Sequence, residues 1–417
     1  MKKFLCLILC TALLLTLCVP ALAEAEVTIE FSQWWEPELP EGSFRAIMDD
    51  FEAQNPGIRV KLISNPFAST RDLVVSGAAT GTLSDVVGLD GAWINDLVKQ
   101  GALLPMDSYM SADAGFQTEN VAASVKANNE TYMFAVASFT YHLFANTGLL
   151  KEAGIEQMPK TWSEFETACK AVSAKNPDAY GWDFPFSSLY ASAGQDQLMS
   201  WAWATGGKML DEEGKPCFVG NSTLQKTFEF FKKSYDDGIM SPGVFSKQSQ
   251  DMFEEFASGR SAFMLNGLSA IASLHERNSE LEFDVWDMPV ADDYTGKKGM
   301  LYAAWGIGLS ASSKHPDEAW KLISYLMSTE VSSRIAEIAN SLPGNKQSTA
   351  ASDDPAFLNG YRLFQESNLI NEFIGMPSAN ELNRLLMEQV QLMLQNNQGV
   401  ETTLANIQSA WEAELAN

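Results

Sequence analysis

Apolar and polar positions along this chain switch between a period of two and a period near three and a half. Val27, Ile29 and Phe31 in "VTIEF" alternate with polar neighbours and predict a short strand over 27–31. Phe44, Ile47, Met48 and Phe51 fall three and four apart, the spacing of one helix face, and predict an amphipathic helix over 43–54 ended by Asn55-Pro56-Gly57. "IRVKLIS" reads as a second strand, "TRDLVVSGAATG" as a helix, "SDVVGLD" as a third strand, and "AWINDLVKQG" as a helix closed by Gly101. This alternation predicts a parallel sheet with helices on its faces.

The pattern continues downstream. Thr161 and Glu164 form a capping box at the head of a helix, and further helices read across "QDQLMSWAWATGG" and "STLQKTFEFFKKSYDDG". "FEEFASGRSAFMLNG" reads helix, turn, strand, and "DVWDMPVADDYTGKKGMLYAAWGIGLSA" reads as two strands around a turn. Helices are expected over 316–329, 331–340 and 380–394, with Trp411 on a last amphipathic helix. No repeat, low-complexity tract or long linker interrupts the chain. Two bodies without a linker imply that the chain crosses between them more than once.

The first residues follow a different rule. Met1-Lys2-Lys3, an apolar run from Phe4 to Val19 and the ending Pro20-Ala21-Leu22-Ala23 are the three parts of a secretory signal peptide, cut after Ala23 or alternatively Ala25. A retained anchor helix is the competing reading, disfavoured by Pro20 and the small-residue ending. A lipoprotein would need Cys18 as the lipidated residue, and the bulky Leu15-Thr16-Leu17 before it argues against that. Of five cysteines, only Cys169 and Cys217 lie beyond this segment, and both read as buried thiols rather than as a disulfide.

Removing residues 1–23 takes away two lysines and no acid, so the net charge moves from −25 to −27. Such acidity without a basic cluster excludes nucleic acid and anionic lipid as natural partners. The remaining length exceeds one ordinary core and predicts two domains.

Enzymatic motifs are sparse. His142, His275 and His315 stand far apart without spaced acids or cysteines, so no metal site is expected. No G-x-S-x-G elbow, P-loop or dinucleotide fingerprint occurs, and no cofactor is expected. With 53 acidic residues a carboxylate pair is always available, which leaves a glycosidase as an alternative.

The eleven tryptophans are more informative. Trp162, Trp286, Trp320 and Trp411 sit in register with apolar neighbours and read as core. Trp34, Trp35, Trp93, Trp182, Trp201, Trp203 and Trp305 lie at strand ends, in polar loops or on a helix that is core or cleft wall; strand carboxyl ends are where open α/β sheets bind ligands. "QWWE", "GLDGAW" and "GWDFPF" put indoles beside carboxylates. That pairing suits a sugar, whose C–H face stacks on an indole while its hydroxyls bond to carboxylates and amides. A non-sugar ligand such as a polyamine is a further alternative and would need an aromatic box lined with acids rather than amides.

"VTIEFSQWWEPE" and "FEAQNPGIRVKL" after a signal segment resemble the start of the family 1 extracellular solute-binding proteins, the maltose-binding-protein-like sugar subunits of ABC importers. "LSDVVGLDGAWINDLVKQGALLPMDSYM", "FAVASFTYHLFANTGLLKEAGIEQMPKTWSEFETACKAV", "FASGRSAFMLNG" and "WGIGLSASSKHPDEAWKLISYLMS" extend the likeness in order along the chain. The resemblance implies a two-lobe α/β periplasmic-binding-protein fold, each lobe a mainly parallel sheet flanked by helices, with ligand in a cleft at a multi-crossing hinge. The lobes are expected over 24–138 plus 305–343 and 139–304 plus 344–417, with crossings near Ser138, Met300–Ala304 and Pro343–Asn345. It implies an exported monomer, periplasmic or at the outer face of the cell membrane, that hands an oligosaccharide to ABC permease subunits and is not an enzyme.

Carried over position by position, the resemblance implies ligand contacts from Trp35 and Glu36, Asn65 and Phe67, Asp90 and Trp93, Phe139 and Tyr141, and Trp182, Asp183 and Phe186. Asn266, Trp305, Met376 and Glu381 complete the set; at Trp305 the family often has glycine, so this indole narrows the cleft or adds a stacking face. Strand alternation assigns Trp34 to the core and Trp35 to the cleft. Asp90 could instead cap the helix that follows it.

Overall fold

The computed structural model describes residues 26–190, 192–348 and 352–416. The expected signal segment, Cys18 included, lies outside the described residues.

Strand β1 (Val27–Gln33) pairs in parallel with β2 (Ile58–Ser64) on one side and β3 (Val86–Leu89) on the other. The connecting helices span Ser43–Gln54 and Phe67–Thr80. The first buries Phe44, Ile47, Met48 and Phe51, the stripe its three-and-four spacing predicts. The main strands continue with β4 (Glu130–Asn146), β5 (Tyr180–Trp182), β6 (Ser261–Gly267), β7 (Phe283–Trp286) and β8 (Gly299–Ser310). Their path runs β2-β1-β3-β8-β4-β6-β5, with β7 beside the far half of β4.

β4 serves both lobes. Its Phe134–Thr140 half pairs antiparallel with Tyr302–Ile307 of β8, while Tyr141–Ala145 pair with β6. β8 divides in the same way: Gly306–Leu309 pair with β3, whereas Gly299–Leu301 pair with Asn368–Ile370. A bulge between Trp305 and Gly306 marks the change on β8. Two apolar cores follow this division. One gathers Phe31, Trp35, Phe44, Val86, Phe134 and Trp320; the other gathers Trp162, Phe165, Trp182, Trp201, Phe230 and Trp411. A smaller cluster under helix Pro355–Glu366 joins Phe144, Phe256, Val285 and Phe357.

Residues 344–348, expected in the second lobe, stay on the first. The Gly344 amide donates to Val136 O at 3.0 Å, the Lys346 amide to Asn120 O at 2.7 Å and the Asn345 side chain to Met327 O at 2.9 Å. Gly344 lies flat on β4, where a Cβ would come within 2.1 Å of Ala135 O. The chain next packs on the second lobe through helix Pro355–Glu366.

The capping box on helix Trp162–Lys175 forms as its sequence predicts, with Thr161 accepting from the Glu164 amide and Glu164 from the Thr161 amide. Trp162, Trp320 and Trp411 are buried, and Trp286 is partly so. Cys169 and Cys217 are free thiols; Cys169 is buried, while Cys217, expected to be buried, is only half so.

Candidate functional site: an aromatic and acidic chamber between the lobes

β1 ends at Gln33, and the chain turns at once into the tight helical turn Glu36–Glu38. Trp35 already has helical torsions, φ −74° and ψ −41°, so strand alternation stops before it. Its indole drops beneath the strand end, fully buried, with ring centroids 5.4 Å from Phe31 and 5.8 Å from Phe44. It stacks on Trp305 at 5.6 Å with the planes 10° apart. Trp35, expected at the cleft, is therefore core, while Trp34, expected in the core, is buried there and also borders the cavity.

The cavity has a volume of about 540 Å³ and opens between the lobes. Trp34, Phe67 and Trp93 form one wall, with centroids 5.2 Å (Trp34–Phe67), 5.7 Å (Trp34–Trp93) and 5.4 Å (Phe67–Trp93) apart. Phe139, Tyr141 and Trp305 come from the crossing strands; Phe139 meets the Trp305 ring at 4.9 Å. Asn266, Tyr190, Ser192, Gln195 and Asp196 close the second-lobe side. Glu38, Phe139, Asn266, Ser269 and Trp305 also border an adjoining polar space of about 1220 Å³, so the cleft has an inner and an outer chamber.

Asp90 follows the end of β3, caps the turn after it as expected, and also borders the cavity. One oxygen accepts from the Ala92 amide at 2.8 Å, capping the turn Gly91–Trp93. Burial pushes its carboxyl up to about 6; Asp196 adds to the rise, while the Ala92 amide and Arg71 oppose it. Glu38 is open to cleft water, yet the surrounding protein displaces enough bulk solvent to raise it to about 7.

Asp196 sits in the π-helical turn Gly194–Met199 and is only 4 % exposed. Oδ2 accepts from Ser192 at 2.7 Å, Tyr190 at 3.0 Å and Tyr141 at 3.4 Å, and Oδ1 accepts from Gln195 at 3.0 Å. Burial raises its pKa against these four donors. Burial and the Asp196 charge hold the Tyr141 and Tyr190 hydroxyls well above the ordinary tyrosine value, so both remain donors.

Of the residues expected at the site, the fold brings together Phe67, Asp90, Trp93, Phe139, Tyr141, Asn266 and Trp305. It keeps the others away. Trp182 is fully buried against Phe165, Trp201 and Phe231 because β5 runs into the second core rather than toward the cleft. Asp183 is buried in an ion pair with Lys247 at 3.0 Å, and Phe186 stacks on Phe184 at 5.2 Å. Trp201 and Trp203 are core as well, the Trp203 indole donating to Glu372 at 2.8 Å. Glu36 turns outward to accept from the Ser64 hydroxyl. Asn65 is tied behind the wall, its amide donating to Gln33 O at 3.2 Å. Met376 is packed in the second core, and Glu381 pairs with Arg384 on the outer rim.

The lining also contains residues that sequence reasoning missed: Trp34, Glu38, Arg71, Tyr190, Gln195 and Asp196. The polar run "SAGQDQ" after an aromatic loop was the available signal for the last two.

Residues 37–332 match the family described as bacterial extracellular solute-binding protein. A multiple sugar-binding protein of Streptococcus mutans is 22 % identical over 348 residues, 79 % of each chain. Among solved structures, the GacH receptor of Streptomyces glaucescens, studied unliganded and with acarbose, superposes with a TM-score of 0.76 at 22 % identity, covering 94 % of this chain and all of that one. The sugar-binding protein MalE of Xanthomonas citri gives 0.77 at 22 % identity over 94 % and 98 %. These likenesses share the two-lobe fold. The match over most of its length and the interlobe chamber together establish that this chain belongs to the bacterial extracellular solute-binding proteins, which are binding proteins rather than enzymes.

Proposed function

We propose that this protein is an exported receptor that captures an oligosaccharide in the interlobe chamber and delivers it to the permease of an ABC importer. The observation that carries this reading is the composition of the chamber. A three-ring aromatic wall of Trp34, Phe67 and Trp93 faces the amides of Gln195, Asn266 and Asn380. Indole faces take the C–H surface of a pyranose, and amides take its hydroxyls in paired hydrogen bonds. The outer chamber, continuous past Glu38, Phe139 and Trp305, gives room for further sugar units.

The ligand contacts proposed are Trp34, Phe67, Trp93, Tyr141, Asn266 and Trp305, with Asp90 accepting a hydrogen bond from the sugar. The two lobes close on the sugar by bending where β4 and β8 pass between them, and the closed form is the one the permease recognises. The chain acts as a monomer outside the cytoplasm after loss of residues 1–23. The amides separate this reading from a simple polyamine, which would leave them without a role.

A thermal-shift screen against mono- and oligosaccharides tests it, since a ligand at 100 times its Kd stabilises the folded state by about 2.7 kcal/mol. An oligosaccharide is expected to raise Tm, and spermidine is not. A rise with spermidine or a peptide and none with any sugar would overturn the reading.

A further inference from the structure

Surface carboxylates are solvated and need no partner, but the inner chamber holds acids that are not at the surface. Asp196 is 4 % exposed, and all four of its hydrogen-bond donors are neutral. Among the described residues no Lys, Arg or His forms an ion pair with Asp196 or with Asp90. The two carboxylates come from opposite lobes, face the same chamber and repel each other. Glu38 and Asp72 also border the chamber but are exposed, and the one guanidinium of its lining, Arg71, offsets part of the Asp90 charge. A buried charge without a counter-ion is costly and is retained where something else supplies the opposite charge.

The aromatic wall points to the same chemistry independently. Trp34, Phe67 and Trp93 meet at centroid distances of 5.2–5.7 Å and line the space that the carboxylates border. Indole faces attract cations, and most strongly where water is displaced. Neutral pyranoses use the rings and amides and take a carboxylate only as a hydroxyl acceptor, whereas a free polyamine uses the rings and the charge but not the amides.

We propose that the sugar unit seated in the inner chamber carries a protonated amine, held between Asp90 and Asp196 and against the Trp34–Trp93 wall. This deepens, and rests on, the reading of the chamber as an oligosaccharide site. Hydroxyls of the same ring meet Gln195 and Asn266, and the ammonium adds positive charge between Asp90 and Asp196, where Arg71 forms no ion pair with either. Closure of the lobes is then favoured by this ligand, because its charge removes the repulsion across the cleft.

Isothermal titration of the mature chain with glucosamine oligomers, their N-acetylated forms and neutral glucose oligomers of equal length tests the proposal. The amine-bearing oligomer is expected to bind at least tenfold more tightly than either counterpart at neutral pH. Asp90→Asn keeps the capping acceptor and is expected to bring that ratio toward one. The N-acetylated ligands make the same comparison on the unaltered protein, so the test does not depend on the variant folding. Equal or tighter binding of the neutral or acetylated oligomers would overturn the proposal while leaving the sugar reading intact. Failure of every sugar to bind would overturn both.

Discussion

At the scale of single residues, the adjacent indoles Trp34 and Trp35 divide their roles by one backbone torsion. Helical torsions at Trp35 turn its ring into the first core, and Trp34 is left facing the chamber. Trp34→Ala is expected to weaken oligosaccharide binding by about 1–3 kcal/mol, measured by titration calorimetry. Trp35→Ala is expected to cost roughly 3–5 kcal/mol of stability through the cavity it leaves, read by denaturant unfolding. A larger loss of affinity than of stability for Trp35→Ala would reverse the assignment.

Asp90 makes a second prediction, on pH. Its folded-state pKa of about 6 lies above the ordinary value of 3.8, so the folded protein binds this proton more tightly than the unfolded chain does. Stability from this group is therefore full below about pH 4 and is lost as pH rises through about 6. Asp196 and Glu38 shift in the same direction, whereas Glu52, Asp113 and Glu381 shift oppositely. The informative quantity is thus the difference between variants. The ligand-free Asp90→Asn protein is expected to gain Tm relative to the unaltered chain at pH 7.5 and to lose that advantage at pH 4. A pH-independent difference would contradict the assignment.

At the scale of elements, most of the fold was legible and the site only partly so. The helix Ser43–Gln54, the parallel strands before and after it and the capping box at Thr161 follow from periodicity and local hydrogen bonding. Those are short-range signals, and nothing distant overrides them. Asp90 and Trp93 were legible as cavity-lining positions because strand ends of an open parallel sheet face the ligand side, whereas Phe67 followed only from the family resemblance. Trp35 was misassigned because the strand ends at Gln33, one residue before alternation would have mattered. Trp182 was misassigned because "GWDFPF" looks the same whether β5 ends at the cleft or in the core; the close approach that decides it is Gly181 against Cys169, where a Cβ would meet the Cys169 Cβ at 2.3 Å. Asp196 depends on a π-helical turn that carries no distinctive spacing.

The loop after β5 illustrates the point. Asp183 reads as a hydroxyl acceptor in sequence but is fully buried and paired with Lys247 and Ser241. Asp183→Ala would leave the partly buried Lys247 only its longer pair with Glu255 at 3.8 Å and is expected to lower stability by roughly 3 kcal/mol. Titration calorimetry should find sugar affinity within about twofold of the unaltered protein, because Asp183 does not border the chamber. A selective loss of affinity without loss of stability would return Asp183 to the site.

For the whole molecule, the two cores are joined by strands that belong to both sheets, so neither lobe moves without bending β4 and β8. The chamber lies on this bend, walled by rings from one lobe and polar groups from the other. Under the proposed function, ligand binding and lobe closure are one event. The most direct test is isothermal titration of ligand-stripped mature protein with a panel of oligosaccharides, neutral and amine-bearing. Saturable one-to-one binding of at least one member, weakened in Trp34→Ala, is the expected result. Heat of binding from spermidine or a peptide, with none from any sugar, would contradict it.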